Sequence, residues 1–274
     1  MITRFAPSPT GYLHWGHAFS ALTAFASAHE AGDRFILRIE DIDATRCRPE
    51  YEAAIFEDLA WLGLSWESPV RRQSDHMADY RIALDSLTAR GLAYRCFRTR
   101  REVVDAMASA PHGPQEAFTG AALPAAEEAR RLGAGEAFAW RLSLLAARDE
   151  LGAAWDDLSF VDEIAGPTKA RPELAGDIVL ARKDVGVAYH LAVVHDDALQ
   201  EITHVIRGED LFEATHIQRL LQALLGLPKP VYRHHRLVMG DDGKRLAKRD
   251  KAETLSELRA RGVTAADVRA GLGF

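Results

Sequence analysis

The stretch APSPTGYLHWGH, from Ala6 to His17, separates a short apolar run from a helix-forming run. Residues 1–6 (MITRFA) predict a buried strand, and the two prolines and Gly11 that follow force a turn. From Gly16 the alanine-rich run has helical spacing, and Gly32 stops it. A strand, a tight loop and a helix N-terminus form a site for phosphate, because unpaired N–H groups and the helix dipole face the loop.

The composition is that of an ordinary soluble protein. The chain has 274 residues, 47% of them hydrophobic and 27% charged, with a net charge of −6. No apolar run is long enough for a membrane span, and the N-terminus lacks a signal-peptide pattern. With only Cys47 and Cys96 no disulfide framework exists, so we expect a cytoplasmic protein. The acidic balance argues against a wholly basic nucleic-acid surface and leaves a local basic patch open.

Helix and strand patterns alternate over most of the chain, which predicts parallel strands joined by crossover helices in an α/β fold. The predicted strands are residues 1–6, 34–40, 93–97, 177–182, 188–195 and 202–207, and the predicted helices are residues 16–32, 49–62, 75–90 and 211–225.

Residues 99–176 have a different character, with a Pro/Gly loop, a helix at 124–132 and strand-like runs at 138–142 and 158–161. We interpret this segment as a subdomain inserted between the halves of a split nucleotide-binding fold. The predicted division is residues 1–95 and 177–230 for the two halves, 96–176 for the insertion, and 231–274 for a basic loop with a short C-terminal helical segment.

The first candidate site is His14-Trp15-Gly16-His17. Residues three apart in a first helical turn share a face, so both imidazoles can contact one anion. Gly16 leaves room for a ligand to approach the backbone. The alternative is a helix start that carries two polar surface histidines, and the motif alone favours this alternative.

The second candidate is the basic loop MGDDGKRLAKRDK at 239–251, which has five cationic side chains. These cations are suited to neutralise a triphosphate and the charge that develops on a leaving pyrophosphate. The alternative is a solvated basic surface loop.

The third candidate is RIEDIDATR at 38–46, in which Glu40 lies at the carboxyl end of a predicted parallel strand. That edge lines the ligand crevice of open α/β sheets, so this carboxylate is placed to bind an ammonium group. The alternative is an acidic helix cap in which Asp43 or Thr45 serves the helix that follows.

The fourth candidate is the pair Tyr189 and Arg207, which we place within or at the ends of apolar strands. A buried arginine needs an anion, and a substrate carboxylate is one possibility. An internal salt bridge from Arg207 to Asp210 or Glu209 is the alternative.

Together these segments resemble the class I glutamyl-tRNA synthetases. The resemblance rests on RFAPSPTGYLHWGH, RIEDIDATR, YHLAVVHDD, ITHVIRGEDL and KRLAK, which occur in the family's order and cover essentially the whole chain. The sequence stops at Phe274, soon after the basic loop. It is therefore most similar to the short glutamyl-Q tRNA(Asp) synthetase family, which keeps the catalytic domain alone. The resemblance implies a Rossmann-like class I synthetase fold.

The resemblance implies an ATP-dependent ligase that activates L-glutamate without tRNA and transfers it to the queuosine base in the anticodon of tRNA(Asp). It implies Mg²⁺ with the ATP, and we expect a monomer. The implied catalytic residues are His14, His17 and Lys248. The implied glutamate-binding residues are Arg4, Phe5, Ala6, Pro7, Ser8, Glu40, Tyr189 and Arg207, with the two arginines as bidentate carboxylate ligands. The implied ATP-binding residues are His14, Gly16, His17, Arg245, Leu246, Ala247, Lys248 and Arg249.

Three other functions stay open at this point. A truncated glutamyl-tRNA synthetase would charge tRNA(Glu), and a general nucleotidyltransferase would share the fold. A non-catalytic, synthetase-like regulator would bind tRNA or a protein, although it would be free to lose the site residues that this chain keeps.

Two departures from the family pattern bear on the chemistry. Ala247 stands in the basic loop where the family usually has serine, and Trp15 replaces a smaller aliphatic residue between the histidines. The expected consequence of Ala247 is an active enzyme with altered loop closure, and the position of Trp15 is one that varies.

A third departure concerns zinc. Many family members bind zinc in the insertion, but here only Cys96 of the ligand set is present, and His112 cannot replace three ligands. We therefore expect no zinc, and we expect packing around Phe97, Phe118 and nearby leucines to hold the insertion together.

Two basic clusters are candidates for contact with tRNA phosphates. A solvated charged face is an equally good interpretation of each. The first cluster is Arg95, Arg98, Arg100 and Arg101, and the second is Lys229, Arg233, His234, His235 and Arg236.

Overall fold

A three-stranded parallel sheet forms the first part of the molecule in the computed structural model, which describes residues 1–108, 117–182, 186–239 and 253–274. Its strand order is β1-β2-β3, and all pairings are parallel, as the strand–helix alternation predicts. The elements are β1 (Ile2–Phe5), α1 (Trp15–Glu30), β2 (Arg34–Ile39), α2 (Pro49–Trp61), β3 (Arg71–Arg72) and α3 (Met77–Ala89).

The middle of the chain forms an antiparallel sheet of order β4-β5-β8-β9 and a separate hairpin, β6–β7. The elements are β4 (Ala93–Cys96), α4 (Arg100–Ala108), α5 (Ala125–Gly133), β5 (Ala139–Leu142), α6 (Leu144–Leu151), β6 (Ser159–Asp162), β7 (Gly166–Lys169), β8 (Val179–Arg182) and β9 (Gly186–Val187).

The last part of the chain adds two parallel strands, and β6 joins them in the order β10-β11-β6-β7. The backbone N–H of Thr203, just before β10, donates to the carbonyl of Ile2 at 3.0 Å, so this sheet lies beside β1. The elements are α7 (Tyr189–Leu199), β10 (His204–Gly208), α8 (Phe212–Leu224), β11 (Val231–His235), α9 (Leu255–Ala260) and α10 (Ala265–Leu272).

The strand predicted at residues 188–195 is wrong, because this segment begins helix α7. The run Leu191 to Val194 is apolar and partly β-branched, which favours a strand in isolation. In the structure all four of these residues are buried, as are Asp196 and Asp197, so the helix is covered on most sides. A short apolar run cannot distinguish a buried strand from a buried helix.

Strands β3, β7, β9 and β11 and helices α4 and α6 were not predicted. The sequence of β11 is VYRHH, and its charged and imidazole side chains hide the strand pattern, although His234 and His235 are buried. The remaining predicted strands and helices are confirmed to within two residues at each end.

The C-terminal helices return to the first half of the chain. Leu255, Leu258 and Val268 pack in one hydrophobic cluster with residues of α1, β2 and α2. The backbone N–H of Leu255 donates to the carbonyl of Leu13 at 2.9 Å, and Thr254 pairs with His14. The segment that follows the basic loop therefore begins beside the HxGH motif.

A small separate core lies at the start of the segment predicted to be an insertion, where Tyr94, Cys96, Val103 and Phe118 are buried together. Packing around Phe118 agrees with expectation, although its neighbours are aromatic and β-branched side chains rather than leucines. His112 lies outside the described residues. Within the described ranges, no group of three or more His, Cys, Asp or Glu side chains is arranged to hold a metal ion.

Across the same ranges, the structure contains no helix with both the length and the apolar character that a bilayer span requires.

Candidate active site

The HxGH motif forms the N-cap of α1 through its histidines. His14 has extended backbone, and its Nδ1 accepts from the N–H of Gly16 at 3.1 Å, while Nδ1 of His17 accepts from the N–H of His14 at 3.2 Å. The ring centroids are 3.9 Å apart. Since each Nδ1 is an acceptor, a neutral ring carries its proton on Nε2. The motif is thus both a helix cap and a pair of ordered imidazoles at a helix N-terminus.

A cavity of about 360 Å³ opens at this helix end, between the loop after β1 and the carboxyl ends of β10 and β11. It brings together every described residue that the sequence analysis assigns to glutamate or ATP, although these come from four separate segments. Those residues are Arg4, Phe5, Ala6, Pro7, Ser8, His14, Gly16, His17, Glu40, Tyr189 and Arg207. The other predicted site residues, Arg245 to Arg249 with Lys248, lie outside the described residues.

Arg207 is a buried cation whose partners are all neutral. Its side chain is only 6% exposed. Nε donates to His234 Nε2 at 3.1 Å and Nη1 to the Tyr189 hydroxyl at 3.3 Å. Its Nη2 group donates to Leu211 O, Thr215 Oγ1 and Gln218 Oε1. No carboxylate of the described chain lies within 4.0 Å of this guanidinium, so the alternative of an ion pair with Asp210 or Glu209 is wrong.

Arg4 differs from the expectation that its guanidinium fork faces a ligand. Its Nε and Nη2 donate to the two carboxylate oxygens of Asp197, at 3.0 and 3.4 Å. Burial opposes the ionisation of Asp197, but Arg4 and Arg38 outweigh it and lower the pKa of this carboxyl. Arg4 therefore lines the cavity with its bidentate edge already occupied, and Nη1 is the part of the fork that no described residue uses.

Glu40 follows β2 and faces the same cavity. Its Oε1 accepts from Nη2 of the fully buried Arg38 at 3.1 Å, and no described residue donates to Oε2. Burial raises the pKa of Glu40, and Arg38 and Arg4 only partly offset this. A further cation beside this buried carboxylate would stabilise its ionised form, and an ammonium group is such a cation.

Tyr189 lies at the first turn of α7 rather than in a strand, and its hydroxyl accepts from Arg207. It also lines a second cavity of about 330 Å³, together with Ser8, Thr10 and Glu40. The walls of this second cavity come from the segment after β2 and from β8–β9, including Asp43, Arg46 and Val179. The site therefore has two lobes that share one boundary.

Strand β11 contributes to the site, which its sequence did not predict. His234 and His235 are 4% and 6% exposed, and burial lowers the pKa of each, so they are not part of a charged surface. Arg233 is paired with Glu163. The second predicted tRNA cluster is therefore not a continuous basic face. The signal for β11 was its position after α8, where a parallel strand is expected, rather than its residue types.

The first predicted tRNA cluster is only partly available. Arg95 lies 4.4 Å from the ring centroid of Trp140 and is paired with Glu128, which fixes its side chain. Arg98, Arg100 and Arg101 are exposed. Contact with nucleic acid at these three residues stays a prediction.

Comparison with known proteins agrees with this geometry. Residues 1–272 match the family described as tRNA synthetases class I (E and Q), catalytic domain. A glutamyl-Q tRNA(Asp) synthetase of Rhodobacter capsulatus is 49% identical and covers 100% of both chains. The enzyme of that name from Symbiobacterium thermophilum is 43% identical, over 99% of this chain and 85% of the other.

Among solved structures, a glutamate tRNA ligase from Elizabethkingia meningosepticum, in complex with its amino acid, superposes with a TM-score of 0.74 at 30% identity. The superposition covers 91% of this chain and 52% of that one. These matches confirm the predicted fold class, a Rossmann-like catalytic fold with helices and parallel and mixed sheets. The chain therefore belongs to the class I tRNA synthetases of the E and Q group, which are ligases, and its full length aligns with glutamyl-Q tRNA(Asp) synthetase.

Proposed function

We propose that this protein activates L-glutamate with ATP in the absence of tRNA and then transfers the glutamyl group to the queuosine base of tRNA(Asp). The observation that carries the proposal is Arg207, a buried cation with no counter-ion among the residues that the structure describes, in one cavity with the half-satisfied carboxylate of Glu40. An amino diacid supplies both missing charges, a carboxylate for the arginine and an ammonium for the glutamate side chain.

The charge of Arg207 accounts for selection against glutamine. The neutral side-chain amide of glutamine, in place of the side-chain carboxylate of glutamate, would leave the buried guanidinium without its anion. That loss costs on the order of 2–3 kcal/mol, which corresponds to roughly 30- to 150-fold in binding.

In our proposal, ATP enters as its Mg²⁺ complex with its phosphates at the N-terminus of α1. His14 and His17 are held there by their own helix-capping bonds, so their positions do not depend on the ligand. The basic loop is proposed to cover the triphosphate, with Lys248 on the departing pyrophosphate. Its flanks support this, since Val238 lines the cavity and Thr254 pairs with His14.

The proposed first step needs no protein nucleophile. An oxygen of the glutamate α-carboxylate attacks the α-phosphorus of ATP in line, the bond to the bridging oxygen breaks, and pyrophosphate leaves. In the second step a hydroxyl of the queuosine base attacks the glutamyl carbonyl and AMP leaves. The second lobe, which meets the first at Ser8, Glu40 and Tyr189, offers an approach for that base.

The test is transfer of labelled glutamate to purified tRNA(Asp) with and without queuosine, alongside tRNA(Glu). We expect glutamate-dependent ATP–pyrophosphate exchange without tRNA, and label only on queuosine-containing tRNA(Asp). Label on tRNA(Glu) instead would show a truncated glutamyl-tRNA synthetase. Absence of exchange under all conditions would overturn catalysis and favour the regulator.

A further inference from the structure

His234 on β11 contacts Arg207 but does not line the cavity. The guanidinium group has five N–H donors and no acceptor. Its Nε–H points at Nε2 of His234, 3.1 Å away. Nε2 must therefore present a lone pair, and the proton of the neutral imidazole lies on Nδ1.

Asp162 fixes that proton. Its Oδ2 lies 2.7 Å from Nδ1 of His234 and also accepts the backbone N–H of His234 at 3.1 Å. Its Oδ1 accepts the N–H groups of Ile164 and Ala165 at 2.9 and 2.8 Å, within the turn between β6 and β7. Burial opposes ionisation of Asp162, but these donors outweigh it and lower the pKa of the carboxyl.

The environment of His234 keeps the ring neutral. Burial first, and then the charge of Arg207, lower the pKa of His234 to about 4 in spite of Asp162. The titratable and charged groups that face this ring are Arg207 on β10, Asp162 on β6, and Tyr232 and His235 on β11. Helix α8 presents the Phe212 ring and the Thr215 hydroxyl to it.

We propose that His234 is a positioning residue that, with Asp162, orients Arg207 toward the substrate carboxylate without supplying a competing anion. The register supports this, because β11 pairs with both β10 and β6. His234 lies opposite Arg207, and Asp162 at the end of β6 lies opposite Tyr232, two residues before His234. One N–H of Nη1 has no acceptor among the described residues, and it is the donor left for the ligand. A carboxylate at position 234 would pair with Arg207 and remove the charge that the ligand needs.

A matched pair of variants tests the inference, which rests on the proposed function. In His234→Gln the side-chain carbonyl oxygen can occupy the former position of the ring atom Nε2 and accept from Arg207. In His234→Asn the shorter amide reaches only the former position of Nδ1, so Arg207 loses this acceptor. We expect His234→Asn to raise the KM for glutamate about tenfold in pyrophosphate exchange, with the KM for ATP unchanged. His234→Gln should restore most of that loss. Equal KM values for glutamate in both variants and the unsubstituted protein would overturn the inference.

A second measurement does not depend on activity. NMR spectra of ¹⁵N-histidine-labelled protein contain signals from all 11 histidines. The signals that disappear in His234→Asn belong to His234 and report the tautomer and charge of its ring. We expect the neutral Nδ1–H tautomer at about pH 7, unchanged down to about pH 5. An Nε2–H tautomer or a charged ring would overturn the inference. Failure of the unsubstituted protein to catalyse exchange would instead overturn the proposed function, and the tautomer would still decide the role of His234.

Discussion

Two buried arginines, on the strands that flank β1, have opposite kinds of partner. Arg38 on β2 is fully buried and contacts carboxylates, with Asp197 at 2.8 Å, Glu40 at 3.1 Å and Asp196 at 3.9 Å. Arg207 on β10 has only neutral acceptors within the described ranges. A buried charge needs a counter-charge, so the first arginine has an architectural role and the second requires a ligand. The contrast distinguishes binding groups from structural ones within a single site.

The largest effect on stability is expected at the paired arginine. Arg38→Met should lower the free energy of unfolding by about 3–5 kcal/mol, because Asp197 and Glu40 would remain buried without their partner. Denaturant unfolding measures this. The exposed Arg81, paired only with Asp85 on the helix surface, provides the control, and Arg81→Ala should unfold like the unsubstituted protein. Equal stability of Arg38→Met would contradict the architectural role.

Arg207→Gln should show the reverse pattern. Glutamate-dependent pyrophosphate exchange should fall roughly 100- to 1,000-fold, mainly through the KM for glutamate, because the ligand loses its charged partner. Stability should fall less than in Arg38→Met, because the variant leaves neutral acceptors without a donor but leaves no described carboxylate without its counter-ion. Arg207→Lys keeps the charge without the planar fork and should recover part of the activity. If Arg207→Gln greatly lowers stability while the KM for glutamate stays normal, Arg207 has a structural role and not a ligand-binding one.

Asp58 extends the comparison to a buried acid outside the cavity that lacks hydrogen-bond donors. Neither carboxylate oxygen has a hydrogen bond from a residue that the structure describes, and Arg259 lies 3.5 Å away. Burial raises the pKa of Asp58 from 3.8 to about 6. The stability that this raised pKa supplies is present below about pH 4 and is lost as the pH rises through about 6.

The expected result is that Asp58→Asn removes this loss. We compare the free energy of unfolding of the variant with that of the unsubstituted protein. Between pH 4 and pH 8 this difference should shift by about 2–3 kcal/mol in favour of the variant. The control is Glu57→Gln, since Glu57 is exposed and bonds the same Arg259 at 3.1 Å. Parallel stability curves for Asp58→Asn and the unsubstituted protein from pH 4 to 8 would show that Asp58 is not the titrating group.

The smallest effect is expected at the helix cap. His14→Ala removes the acceptor for the Gly16 N–H and should cost about 1 kcal/mol of stability, whereas His14→Ser keeps an N-cap acceptor and should restore it. Both variants should lose pyrophosphate exchange, because neither has an imidazole. If His14→Ser is as unstable as His14→Ala, the capping role is wrong.

Local sequence was enough to predict the loop after β1 and the helix that follows it, and the resemblance implied part of the cavity lining. Prolines, glycines and helical spacing act over a few residues, and the resemblance placed Glu40 and Arg207 in one site. The structure was needed for what lies far apart in the chain. Asp162 and His234 are 72 positions apart and meet only through strand register. Nothing in the spacing of Arg4 showed that its fork contacts Asp197, and α7 took a helical form because its apolar run is covered on most sides.

The central claim is that the charge of Arg207 is completed by a carboxylate of the substrate. A crystal structure of the protein with L-glutamate tests it most directly. The account predicts a glutamate carboxylate oxygen about 2.7–3.1 Å from Nη1 of Arg207, with the ammonium group against Glu40 and the contact to His234 retained. An arginine turned onto Asp210 or Glu209, with glutamate bound elsewhere, would contradict it.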